Sequence, residues 1–336
     1  MMCRLALTIF LAFALVPATA DAKPISREEY QRQAQVLEQL QKSVAAAESD
    51  ADKFAIIAGV MTAERDVDLR RKVLDIAAGI PGAAQEAFFL SLLTTDEDAG
   101  IRSLAATTLG KTGSEKCLDS LAKAAASDRT TLMLIGDIGH LSSARRFATF
   151  ALAELALRHP KLAQKAAAEL RALPDKVDPQ DNESLYDARL QALYQITRDD
   201  SLLKPFLDRM QSDDPNTRSN GVNAFQFLKL QVAPPEVVQA LQDSDAGVSS
   251  HAALVLGRIG DPKSAAPLLA IAADPKRERL ARVNAITALG QIRAPAAAEL
   301  MEKLLDDPAV APNAAIALYR ITGKKVQQFP EGYDAD

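Results

Sequence analysis

An all-α fold, an α-solenoid of about eight stacked helix pairs, is predicted by three features of this 336-residue sequence. Aromatic residues make up 5% of the chain and tryptophan is absent. Alanine and leucine are abundant, and they favour helices, whereas strands prefer β-branched and aromatic side chains. An apolar pattern at three- and four-residue spacing also recurs about every 30 residues, which indicates stacked helical repeats.

The charge of the chain argues against a nucleic-acid partner. The net charge is −5 and the pI is near 5.4, while 48% of the residues are hydrophobic and 25% are charged. Binding to nucleic acid requires clustered Lys and Arg that displace counterions from phosphates. The basic residues form only short pairs such as Arg145-Arg146 and Lys324-Lys325. We therefore expect a soluble protein that does not bind nucleic acid.

Residues 1–20 have the layout of a secretory signal. Arg4 precedes the apolar stretch Leu5 to Val16, and Ala18-Thr19-Ala20 supplies small residues for a signal peptidase. The alternative is a membrane anchor, but a helix needs about 20 apolar residues to cross a bilayer. We expect cleavage before Asp21 or Lys23, a periplasmic or secreted protein, and no membrane-spanning helix.

The remainder divides into a helical cap (23–62), a repeat array (63–323) and a loose tail (324–336). In the cap, apolar residues from Tyr30 to Val44 mark one helix, and those from Phe54 to Met61 mark a second. A terminal repeat requires a polar outer face. We expect the glutamines of the first helix to form this face: Gln31, Gln33, Gln35, Gln39 and Gln41. Cys3 lies in the signal, so Cys117 is the one cysteine that remains after the signal is removed. We expect Cys117 to be a buried residue on a helix.

Eight copies of the repeat align on one apolar column. Two long intervals, 43 residues from Leu109 to Leu152 and 41 from Leu152 to Leu193, predict longer loops or helices in the middle of the chain. The column comprises Ala77, Leu109, Leu152, Leu193, Phe225, Leu256, Leu289 and Leu318.

Two further features recur within the copies. An acid stands four residues before an arginine, as in Asp98 and Arg102, which predicts an acid at the positive end of a helix and an ion pair along its first turn. The other such pairs are Asp66/Arg70, Asp214/Arg218 and Glu278/Arg282. A glycine follows the column residue at Gly110, Gly257 and Gly290, where it either permits close helix packing or helps to end the helix.

The segments Asp245 to Pro275 and Glu278 to Pro308 resemble HEAT repeats of the short bacterial type that also occurs in phycobilisome lyase subunits. Ser249 and Ala311 stand where the pattern has arginine. The resemblance implies an α-solenoid, and HEAT arrays are mostly scaffolds that bind proteins along a curved surface. It also implies two enzymatic alternatives, a di-iron hydroxylase with His-Glu pairs and a bilin lyase.

The sequence contains no catalytic motif that we recognise. His140, His159 and His251 are the three histidines, and none precedes a glutamate. We therefore expect an exported, non-enzymatic scaffold with a protein partner and no cofactor. The alternative is an enzyme or enzyme subunit, lyase-like or metal-dependent, with its site in the irregular central repeats.

The central segment Gly136 to His140 departs from the repeat pattern of the sequence. Its glycines predict a turn. From this turn Asp137 and His140 either contact a metal or a partner, or His140 simply lies near a helix start. Arg145 and Arg146 follow on that helix. These four residues are the candidate partner contacts.

Overall fold

The computed structural model describes residues 26–128, 133–135, 140–173 and 182–330, which form 17 α-helices and one short β-hairpin. Two compact units divide between Thr197 and Arg198. Unit 1 contains α1 (Arg27–Ala46), α2 (Asp50–Ala63), α3 (Val67–Ala78), α4 (Ala83–Thr95), α5 (Ala99–Thr112), α6 (Leu118–Ser127), α7 (Ala144–Arg158), α8 (Ala163–Ala172) and α9 (Asn182–Thr197). Unit 2 contains α10 (Lys204–Arg209), α11 (Pro215–Ala224), α12 (Pro235–Gln239), α13 (Ala246–Ile259), α14 (Ala265–Ala273), α15 (Arg279–Ile292), α16 (Ala298–Leu304) and α17 (Ala311–Thr322).

The predicted solenoid architecture is confirmed by the way these helices alternate. In the described residues the first helices of the repeats are α3, α5, α7, α9, α11, α13, α15 and α17, and the second helices are the seven between them. Every residue of the predicted apolar column is buried, and each falls on a different first helix, with one exception. Phe225 begins a 3-10 turn that directly follows α11. One column residue per repeat thus forms the apolar seam of each unit.

A β-hairpin interrupts the helical pattern between α6 and α7. Its strands β1 (Met133–Ile135) and β2 (His140–Ser142) pair antiparallel, with Ile135 opposite His140. This insertion accounts for the long interval between Leu109 and Leu152. The second long interval contains the connection from the end of α8 at Ala172 to the start of α9 at Asn182. The expected long central connections are therefore present, although the strands were not predicted.

Both ends of the described chain differ from the sequence expectation in detail. Gln33, expected on the polar outer face of α1, is buried at 2% exposure, whereas Tyr30 is 65% exposed. The Gln33 amide donates to Asp66 at 2.7 Å and accepts from Lys72 at 2.7 Å, which compensates for its burial. At the other end, within the segment expected to be a loose tail, the Phe329 ring packs edge-on against Tyr319 at 5.3 Å.

The glycines after the column residue serve close packing between consecutive first helices. A methyl group on Gly257 would lie 2.8 Å from both the Cα and the Cβ of Ala288 on the next first helix. Gly110 stands in the same relation to Ala151, and Gly290 to Ala317. All three glycines lie inside their helices rather than at the ends. Of the two predicted roles, the structure therefore supports close approach.

The repeated arginines bind the turns between repeats. Arg102 is 1% exposed, and its guanidinium forms a two-pronged pair with Asp128 at 2.8 Å (Nε to Oδ2 and Nη2 to Oδ1). The same guanidinium donates through Nη1 to the carbonyls of Asp96 and Glu97, just before α5. Arg102 thus ties the turn before its helix to the turn 26 residues further on, and Arg218 does the same over 25 residues. Equivalent pairs are Arg70 with Asp96, Arg218 with Asp243, and Arg282 with Asp307.

The predicted ion pair within the first helical turn was wrong. Asp98 caps α5 by accepting from the Ile101 amide at 2.9 Å, and Asp214 caps α11 by accepting from the Thr217 amide at 2.8 Å. The acid therefore does sit at the positive end of the helix, as expected. Because its carboxylate accepts hydrogen bonds from backbone N–H groups, the arginine four residues later forms its ion pair with a different acid. That acid lies in the next turn between repeats.

We expect Gly257→Ala to lower the free energy of unfolding by about 1–3 kcal/mol, because the added methyl group has no space against Ala288. Helix propensity alone would give the opposite sign, with a gain of up to about 1 kcal/mol. Gly59→Ala in α2 is the matched control, since nothing lies within 4 Å of its added methyl group. Urea denaturation followed by circular dichroism measures both variants. Equal stabilisation of the two would contradict a packing role for Gly257.

The hydrogen bonds from Arg218 hold the pKa of Asp243 below its ordinary value of 3.8. A lowered folded-state pKa stabilises the protein above about pH 4, and this contribution is lost as the pH falls through the lowered pKa. We expect Asp243→Asn to destabilise the protein at pH 7 and to approach the wild type in stability near pH 2. Urea titrations across this range measure the difference.

The control for that pH dependence is Asp208→Asn. Asp208 pairs with Lys204 at 2.7 Å on the exposed surface of α10, where ion pairs contribute little. A pH-independent difference between Asp243→Asn and the wild type would show that the charge of Asp243 is not what matters.

Candidate functional site

A groove of about 320 Å3 lies in unit 2. It lies where the second helices α10 and α12 end and the first helices α11 and α13 begin. Both second helices are short, with six residues in α10 and five in α12, compared with 13 in α4. Short second helices leave the ends of their neighbours uncovered, which opens the groove.

The floor of the groove is apolar, and one wall consists of an arginine paired with an aspartate. Met210, Val222 and Val248 line the floor. Arg218 forms the wall, donating from Nε and Nη2 to the two carboxylate oxygens of Asp243 at 2.8 Å each. Its Nη1 donates to the carbonyls of Ser212 and Asp213 at 3.0 Å. The guanidinium is therefore fully engaged in holding the turns, and the wall is rigid and polar.

Side-chain amides form the rim. Gln211, Gln239 and Gln242 line the groove together with Glu236. Gln242 Oε1 accepts from Arg277 Nη2 at 2.5 Å, which fixes one amide in place. An amide both donates and accepts hydrogen bonds, so such a rim matches the polar groups of a polypeptide backbone. An apolar floor with an amide rim is suited to binding and has no nucleophile paired with a base.

The structure places the four candidate contact residues differently from one another. Asp137 lies outside the described residues, and His140 is in strand β2. Arg145 is buried at 1% exposure, and its guanidinium donates to the carbonyls of Ala125 and Ala126 at 3.0 and 2.7 Å. The surface contact expected of Arg145 is therefore wrong, because the residue performs the turn-binding role of Arg102. Arg146 lies 5.2 Å from the ring centre of Phe150.

The other histidines and the cysteine sit in structural contacts. His251 is half-buried, and its Nδ1 accepts hydrogen bonds from the Ser219 hydroxyl and the Asn223 side-chain amide. These hydrogen bonds link α13 to α11. His159 lies 3.3 Å from the Gly113 carbonyl. Cys117 is buried at the end of the 3-10 turn before α6, and burial together with Glu86 raises the pKa of its thiol to about 12. A thiol in that state is protonated and unreactive.

Neither a metal cluster nor a membrane-spanning helix is present in the described residues. Within the described ranges, no group of three or more His, Cys, Asp or Glu residues is arranged to hold a metal ion. None of the described helices is both long enough and apolar enough to span a bilayer.

Sequence reasoning did not find the groove. Its lining comes from four helices, and most of these residues are unremarkable exposed or half-buried positions of a repeat. The available signal was the crowding of turn-forming residues between Asp213 and Pro235. That crowding precedes the five-residue helix α12, whereas the short helix α10 ends at Arg209, before these residues.

Comparison with known proteins agrees with the repeat geometry. A family model described as HEAT repeats matches residues 202–283, and one described as PBS lyase HEAT-like repeat matches residues 281–307. The chain matches no curated protein sequence.

Two solved structures share the helical character of the chain at low similarity. Human deoxyhypusine hydroxylase in complex with glycerol is 15% identical, with a TM-score of 0.33, covering 88% of this chain and 99% of that one. The Escherichia coli protein YibA is 14% identical, with a TM-score of 0.37, covering 90% of this chain and 99% of that one. Scores this low carry no argument about function. The matches identify HEAT repeats over residues 202–307, which is about a third of the chain, and the helix pairs in the rest of the described residues have the same alternating order.

Proposed function

We propose that this protein is an exported scaffold that binds a polypeptide segment of a partner protein in the groove of unit 2. The apolar floor beneath an amide rim is the observation that carries this proposal. An aliphatic side chain of the segment rests on Met210, which is 9% exposed, above the buried Val222 and Val248, and the glutamines bond its backbone. The HEAT repeats support a scaffold role, because proteins of this kind present extended surfaces built from stacked helices.

The size of the groove favours a short anchor over a large ligand. At about 320 Å3 it lies at the lower end of the range for small-molecule pockets, roughly 300–1,000 Å3. One or two buried side chains fill such a space. The remaining affinity then comes from contacts along the exposed second helices, as in other interfaces with a small anchoring centre.

A photocrosslinking amino acid at Gln239, on the exposed rim, is expected to capture the partner in whole cells. The same group at Glu302, on the exposed face of α16, is the matched control and is expected to capture far less. Capture at Gln239 is expected to saturate with partner concentration and to disappear when Gln211→Trp fills the groove. Equal capture at both positions, or capture insensitive to Gln211→Trp, would count against the groove as the binding site.

The export part of the proposal is supported by the sequence of residues 1–20. We expect the mature protein, recovered from the periplasm or the medium, to begin at Asp21 or Lys23, as N-terminal sequencing determines. Leu11→Arg places a charge in the apolar stretch and is expected to hold the full-length chain inside the cell. A full-length protein fixed to membranes would instead support the anchor interpretation, and efficient release of the Leu11→Arg variant would refute the signal.

A further inference from the structure

Unpaired cations gather at one edge of unit 2, where its first helices end. Arg258 is in the last turn of α13, Lys263 follows in the next turn, and Arg293 is the C-cap of α15. Lys324 and Lys325 follow the end of α17. All five residues are exposed. We call these five residues the basic edge.

The packing of the helices places these cations side by side. The first helices α13, α15 and α17 follow one another in the stack, run in the same direction and therefore end at the same edge. Gly257 against Ala288 and Gly290 against Ala317 bring these helices close together near those ends. Packed helices lie about 8–10 Å apart. The basic edge is therefore a row with one or two cations per repeat at about that spacing.

The described part of unit 2 provides no ion-pair partner for these cations. None of the ion pairs within residues 198–330 includes Arg258, Lys263, Arg293 or the two lysines. Asp261 lies on the same edge, but it is buried, and its carboxylate accepts from the amides of Ala233 and Lys263 at 3.0 Å each. These hydrogen bonds and the nearby charge of Lys263 lower the pKa of Asp261, so Lys263 is partly balanced by this carboxylate. The surrounding protein lowers the pKa of Arg258, as expected for a cation that is partly desolvated without an acid beside it.

Stabilisation of helix ends explains only part of this arrangement. A cation near the C-terminus of a helix interacts favourably with the helix dipole, which accounts for Arg258 and Arg293. Lys263 lies instead at the start of the segment that leads into α14, where the dipole disfavours a cation. Lys325 lies beyond the last turn of α17 and stacks on Tyr319 and Phe329.

Exposed apolar residues lie among the cations. Val232, in the turn between α11 and α12 at this edge, is 63% exposed. Pro262 and Pro295 are exposed in the next two turns. The groove opens at the opposite ends of the same helices, so the basic edge consists of turns rather than a cleft. A row of turns with cations and small apolar residues suits a planar surface better than an extended peptide, which needs a groove.

We propose that the basic edge of unit 2 rests on an anionic membrane surface, through lipid phosphate groups. Lys and Arg side chains bond those phosphates, while Val232 and the prolines enter the interfacial layer. The groove then faces away from the membrane, where a partner has access. This proposal stands independently of the groove, because it uses different residues and predicts a different ligand.

Vesicle sedimentation of the full-length mature protein tests the membrane proposal. We expect binding to vesicles of phosphatidylglycerol with phosphatidylcholine, none to phosphatidylcholine alone, and weakening with salt. Each cation near an anionic surface contributes about a fivefold factor in partitioning. Removal of three cations alone gives about a 100-fold loss, so the triple variant Lys263→Glu, Arg293→Glu and Lys324→Glu, which also adds three repelled carboxylates, is expected to bind at least about 100-fold less.

The control carries the same change of net charge at the other edge of the unit, in Lys276→Glu, Arg279→Glu and Lys303→Glu. We expect the vesicle binding of this control variant to fall by less than about tenfold, because its three residues lie away from the basic edge. Circular dichroism and thermal unfolding verify the fold of each variant, and the triple glutamine variant at 263, 293 and 324 replaces the first should that one unfold. Equal losses in both sets, no binding of wild type to anionic vesicles, or binding to polyglutamate in place of vesicles would overturn the proposal.

Discussion

Close approach between consecutive first helices is the constraint on which the rest of this structure depends. A glycine in one helix faces an alanine in the next, as Gly257 faces Ala288, and the backbones meet without intervening side chains. A helix packed this tightly on both sides has little surface left. The central first helix α7 shows the result, since most of its residues from Ala144 to Ala156 are buried. Most of the exposed surface therefore lies on the second helices and the turns, and the first helices contribute to the groove only near their starts, as Arg218 and Val248 do.

Tight stacking also determines how the turns are held. The turns between repeats carry backbone carbonyls that no helix satisfies, and the repeated arginine supplies the donors. Arg102 does so while paired with Asp128, so its charge is buried at little net cost. Ser249 replaces the arginine in α13 and bonds only the Leu241 carbonyl, at 2.8 Å. The array therefore tolerates the loss of one such link, which is consistent with additive contacts between neighbouring repeats.

Periodicity was sufficient to predict the helices and the buried column, because both depend on local spacing. The arginine pairs were not predicted, since their acids stand 25 or 26 residues away and the nearer acid seemed the natural partner. One signal was available but unused. Arg145 stands seven residues before Leu152, as Arg102 stands before Leu109 and Arg218 before Phe225. Aligning that position would have identified Arg145 as a buried turn-binding residue instead of a surface contact.

The groove and the basic edge escaped sequence reasoning for a different physical reason. Net charge averages over the whole chain, and the value of −5 conceals how the charges are used. Many acids at the starts of first helices are engaged, as Asp98 is by the Ile101 amide and Asp243 is by Arg218. Arg258, Lys263 and Arg293, at or just after the ends of α13 and α15, form no ion pair in the described residues. The electrostatic potential at the protein surface therefore depends on the charges that form no ion pair. At this edge those charges are positive, although the net charge of the chain is negative.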